Sequence, residues 1–105
     1  MNYDEVYISN MNNNLSGRYI TLDKIEPILD LLNTNNNLEI IGYSVLQKPI
    51  YSYSIGTGIT KILMWSQMHG NEGTTTKAIF DFLNVLHSDS RLSKMFLENF
   101  TFCII

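Results

Sequence analysis

Cysteine is nearly absent from this 105-residue sequence: Cys103 is the only one, so no internal disulfide can form. Basic residues are scarce as well. Seven Lys and Arg stand against ten Asp and Glu, for a net charge of −3. No basic stripe exists to neutralise phosphates, and a nucleic-acid partner is not expected. No apolar run approaches the roughly 20 residues that a membrane helix needs, so no membrane association is expected. The opening Met1-Asn2-Tyr3-Asp4-Glu5 is acidic and has no apolar stretch of the secretory kind. The expectation from these features together is a cytoplasmic protein.

Hydrophobic residues make up 45% of the chain and charged residues 16%, which is the composition of a folded domain with one core. Two asparagine-rich patches, Asn10 to Asn14 and Asn33 to Asn37, read as loops, because the asparagine side chain competes for local backbone hydrogen bonds. Between them Leu22, Ile25, Leu29 and Leu32 form one helical stripe, with Thr21 placed to cap it. Pro27 interrupts that pattern and predicts either a kink or a helix start nearby.

From Leu38 to Val45 the texture is that of a strand, and Gln47-Lys48-Pro49 is a turn. Ile50 to Ile55 alternates large and small residues, as a half-buried strand does, and Gly56-Thr57-Gly58 is a second turn. Lys61 to Gln67 predicts an interior strand, with Met64, Trp65 and Met68 as buried residues of that strand. Thr75, Ile79, Phe82 and Leu86 predict an amphipathic helix over 73–87, broken by Ser88-Asp89-Ser90. A short helix over 92–97 and a last strand over 100–105 complete the pattern, with Cys103 as a small core residue of that strand. Helix, three strands, helix and strand predict an α/β fold: a mixed sheet with flanking helices, including one βαβ crossover.

The chemistry concentrates in Met68-His69-Gly70-Asn71-Glu72-Gly73, between an apolar strand and an amphipathic helix. Imidazole nitrogen and carboxylate oxygen are both zinc donors, and a bend at Gly70-Asn71 would turn both side chains toward one point. Ligands in open α/β sheets collect at the carboxyl ends of strands, where this segment falls. A second reading stays open at this stage: Gly70-Asn71 as a plain strand-to-helix turn, with Glu72 as an acid favouring the helix N-terminus. His87 follows Glu72 by 15 residues, about 22 Å along a continuous helix, so it cannot join the pair; it is expected in the last helical turn, where a cation suits the dipole. Arg18 is read as a surface residue.

His69-Gly70-Asn71-Glu72-Gly73 resembles the HxxE segment of the M14 zinc carboxypeptidases, a superfamily that includes the aspartoacylase and succinylglutamate desuccinylase enzymes. Ile41-Gly42-Tyr43-Ser44, Lys48-Pro49-Ile50 and Ile55-Gly56 resemble the stretch that precedes it in the family, and Gly17-Arg18-Tyr19 resembles the usual opening. The similarity spans residues 17–105, with 1–16 as an N-terminal segment, and matches the N-terminal part of the family's phosphorylase/hydrolase-like domain.

The resemblance implies that His69 and Glu72 are two of three zinc ligands, with zinc as the cofactor. It implies that the third ligand, the general base and the substrate-gripping residues lie further along than Ile105, so no catalytic residue is assigned here and the chain by itself is expected to be inactive. The implied function is a zinc metallocarboxypeptidase acting on peptides. The alternatives are an N-acyl amino acid deacylase of the same superfamily and a non-catalytic α/β interaction module. A homo-oligomer is expected, because the final strand reads as an unpaired apolar edge.

Overall fold

The computed structural model describes all residues, 1–105. Helix α1 spans Tyr3–Asn10 and α2 spans Leu22–Leu32. Strands β1 (Leu38–Tyr43), β2 (Pro49–Ile55) and β3 (Thr60–Met64) follow, then α3 (Thr74–His87), α4 (Arg91–Asn99) and β4 (Phe100–Ile104). The four strands form one mixed sheet in the order β1-β2-β4-β3. β1 and β2 pair antiparallel, β2 and β4 antiparallel, and β3 and β4 parallel. The expected α/β architecture and its crossover are therefore present, with α3 and α4 linking the two parallel strands. No helix is long and apolar enough to cross a membrane.

Strand order corrects two expectations. β4, read from sequence as the free edge, lies inside the sheet, with Tyr53 opposite Ile104 on one side and Ile62 opposite Phe102 on the other. β3, read as interior, is an edge and ends at Met64. Its outward residues are open: Leu63 is 58% and Trp65 55% exposed, and Met68 lies exposed beyond the strand. An apolar run signals burial, but it does not say whether a strand has one neighbour or two.

The core forms where α2, α3 and α4 pack on Tyr53, Phe102 and Ile104. α3 buries Thr76, Ile79, Phe80, Leu83 and Leu86. Its buried stripe is thus rotated from the expected one, with Thr75 exposed and Phe82 half-buried. Leu29 anchors α2, and Ile25, Ile28 and Leu32 pack beside it. Pro27 sits on the solvent face of α2, and the helix begins five residues earlier and runs through it. An outward proline leaves the carbonyl it cannot serve open to water, which limits the cost of the lost bond. Thr21 occupies the cap position without a side-chain capping bond.

α1 was not legible in the sequence. Asn2 caps it, its Oδ1 accepting from the Asp4 and Glu5 amides at 3.1 and 3.4 Å. α1 buries no residue, but its last residue and the segment after it are tied to α3: Asn84 Nδ2 donates to the Asn10 carbonyl at 2.8 Å, the Asn12 backbone amide donates to Asp81 Oδ1 at 2.6 Å, and Leu15 enters the core. Between β1 and β2 the register shifts at Ile40/Gly42, a bulge that lifts Ile41 out of the ladder. Cys103 is half-buried on the sheet face away from Tyr53, its Sγ 3.4 Å from the Ser52 hydroxyl; it is not part of the main core.

Candidate functional site

Residues 65–73 leave the end of β3 and return to the start of α3, as the strand-to-helix reading requires. Gln67 shapes this loop. Its backbone is left-handed, with φ of 48°, which a non-glycine residue adopts only when its surroundings hold it there. The surroundings do so at four points. Gln67 Nε2 donates to the Ile20 carbonyl at 2.7 Å and to the Gly70 carbonyl at 2.8 Å. Its Oε1 accepts from the Thr76 hydroxyl at 2.7 Å, and its amide donates to Thr75 Oγ1 at 3.3 Å. One side chain thus pins the loop to the entry of α2 and to the first turn of α3. Sequence reading missed this role, because Gln67 looked like the polar end of a strand.

The loop presents His69 and Glu72 together. His69 Nδ1 lies 3.0 Å from Glu72 Oε2, and the Glu72 amide donates to the His69 carbonyl at 2.9 Å, closing the turn. Both side chains are 69% exposed. Gly73, the last residue of the motif, is buried against Ile20, whose Cγ1 would lie 2.8 Å from an added Cβ. The motif glycine therefore has a packing reason: it lets the N-terminus of α3 approach the loop before α2.

The donor set fits part of a zinc site. Two donors on a tetrahedral zinc at about 2.0–2.2 Å lie roughly 3.3–3.5 Å apart, close to the spacing of this pair. The pair also satisfies itself: as it stands, the imidazole N–H donates to the carboxylate. No third His, Cys, Asp or Glu joins them.

His87 stands at the other end of α3, and its Nε2 is 2.8 Å from the Tyr53 hydroxyl. The residue is exposed as a whole, but its ring edge is tucked against Tyr53, and that desolvation lowers its pKa below the ordinary imidazole value. The expected cation at the helix end is thereby disfavoured. Arg18 is exposed, with its guanidinium over the Tyr19 ring at 5.6 Å.

Beside the loop, a cleft of about 350 Å³ opens between α2, α3 and the sheet, reaching Ser66, Gln67 and Gly70 at one end. β4 pairs with β2 from Ile55 to Tyr53, and the Pro49–Tyr51 end of β2 lines the cleft. Compared with known proteins, the sequence matches no family model and no curated protein.

Proposed function

We propose that residues 1–105 carry part of the metal site of a zinc-dependent hydrolase of the carboxypeptidase type, with His69 and Glu72 as two of the ligands. The observation that supports this reading is the exposed pair at 3.0 Å, held at the carboxyl end of an edge strand by a loop that Gln67 fixes. In such sites zinc polarises the scissile carbonyl and lowers the pKa of a bound water. What this chain contributes is placement. The loop brings the His69 imidazole and the Glu72 carboxylate together, and these two would hold the metal, with further donors needed to complete its site. A third ligand and a general base must come from outside this set. The substrate would be a peptide; an N-acyl amino acid is the alternative within the same superfamily.

Zinc titration followed by NMR tests the reading. Weak 1:1 binding should perturb the His69 imidazole and the Glu72 amide, vanish in His69→Ala and persist in His87→Ala. Zinc that perturbs His87 and leaves His69 unmoved would overturn it.

A second reading has an observation of its own. Leu63, Trp65, Ile50 and Ile105, 58%, 55%, 40% and 39% exposed, lie on or beside the sheet face that the helices leave open. Such a surface suits a protein-interaction module. Zinc binding at His69 discriminates the two.

A further inference from the structure

The cleft between α2, α3 and the sheet has a character that the metal reading does not use. None of its 19 lining residues carries a charge, and 13 are hydrophobic. Ile25 and Leu29 form one wall, and Ile79 and Leu83 the other. An engineered apolar cavity of about 150 Å³ stays dry and binds benzene. A volume of about 350 Å³ is more than twice that, within the range of natural small-molecule pockets.

Away from the loop, the hydroxyls of the lining tyrosines Tyr51 and Tyr53 are already bonded, to Glu26 and to the Leu32 carbonyl, and the other polar side chains gather near the loop. Thr76, 4% exposed, gives its one hydroxyl hydrogen to Gln67 Oε1 at 2.7 Å, and its oxygen lies 3.1 Å from Ser66 Oγ. Both Gln67 N–H groups are committed to backbone carbonyls. Gln67 and Thr76 are therefore satisfied within the protein. Ser66 then donates its own hydrogen to the Thr76 oxygen and keeps its hydroxyl oxygen free to accept from a ligand.

We propose that this cleft is a binding site for a neutral, bicyclic-sized apolar molecule bearing one hydrogen-bonding group, its apolar body between Ile25 and Leu83 and its polar atom on the Ser66 hydroxyl. Ions are excluded, because no lining side chain compensates a buried charge. The inference stands without a metal at His69.

Indole is a suitable probe: neutral, bicyclic and carrying one N–H. In an amide NMR titration of the chain, indole should give saturable shifts at Thr76, Ile79 and Leu83. Indole-3-acetate, the same ring with a carboxylate, should bind weaker by about tenfold or more. Ser66→Ala should weaken indole by about fivefold, one neutral hydrogen bond. Ile25→Phe should fill the cleft and abolish binding while amide dispersion is retained. If that variant does not fold, the anion comparison and Ser66→Ala decide the question. The proposal is overturned if indole gives no saturable shifts, if the anion binds equally well, or if the shifts centre on Leu63 and Trp65 outside the cleft.

Discussion

The Tyr53 hydroxyl joins three elements through two contacts: it donates to the Leu32 carbonyl at the end of α2, at 3.2 Å, and meets His87 Nε2 at the end of α3, at 2.8 Å. With its hydrogen given to Leu32, the tyrosine oxygen accepts from the imidazole N–H.

This geometry sets a pH dependence. The folded state lowers the His87 pKa, so between that value and the unfolded one, near 6.5, the unfolded chain binds more protons. The contribution of neutral His87 is fully present above about pH 6.5 and is lost as pH falls through the folded pKa. Urea denaturation at pH 7.5 and at pH 5.5 should show a modest loss of stability at the lower pH, and His87→Gln should flatten it. An unchanged pH dependence in His87→Gln would contradict this assignment.

Gln67→Ala should destabilise by about 1–3 kcal/mol, because it orphans the Ile20 and Gly70 carbonyls and the Thr76 hydroxyl. The loss should also release the loop: amide exchange at residues 68–72 should accelerate more than at β2. Uniform acceleration across the chain would mean that Gln67 serves global stability only.

Gly58→Ala should cost about 2 kcal/mol or more, because an added Cβ runs into the Asn99–Phe100 backbone where α4 passes into β4. Gly70→Ala meets nothing within 4 Å and should stay within about 0.5 kcal/mol. Urea midpoints of the two variants, read side by side, check both.

Leu83, 1% exposed, is among the most deeply buried side chains. Leu83→Ala should destabilise by about 2–5 kcal/mol, as truncations that leave a core cavity do. A loss under about 1 kcal/mol would show that α3 packs more loosely than its burial implies.

Self-association should run through β3. This edge strand carries exposed Leu63, with Ile59 (96% exposed) before it and Trp65 after it, beside an open sheet face. Unpaired backbone flanked by apolar side chains is a template for another chain. Sedimentation equilibrium should find a dimer at micromolar concentration, and Leu63→Lys should yield monomers. A dimer that survives Leu63→Lys would move the interface elsewhere, for instance to β1.

Most of the elements, and the position of the pair, follow from local residue patterns. Period-two and period-3.6 patterns are local consequences of how strands and helices point their side chains, so α2, β1, β2 and α3 were legible from 22–32, 38–45, 50–55 and 73–87. The juxtaposition of His69 and Glu72 was equally local, because a bend at Gly70-Asn71 closes over three residues. α1 was not legible, since it buries nothing and leaves no apolar stripe.

Which strand lies inside is set by long-range packing. β3 and β4 are similarly apolar, and their order depends on how α3 and α4 carry the chain back, which no residue pattern records. That order put Trp65 and Leu63 on an exposed edge and made Phe102 and Ile104 core. It also set Ile104 of β4 beside Tyr53 of β2, both of which line the cleft. Gln67 reaches Ile20, 47 positions away, and the Tyr53–His87 contact spans 34. Contacts at such separations are fixed by the packing of the whole chain, and for that reason the supports of the site emerged only with the fold.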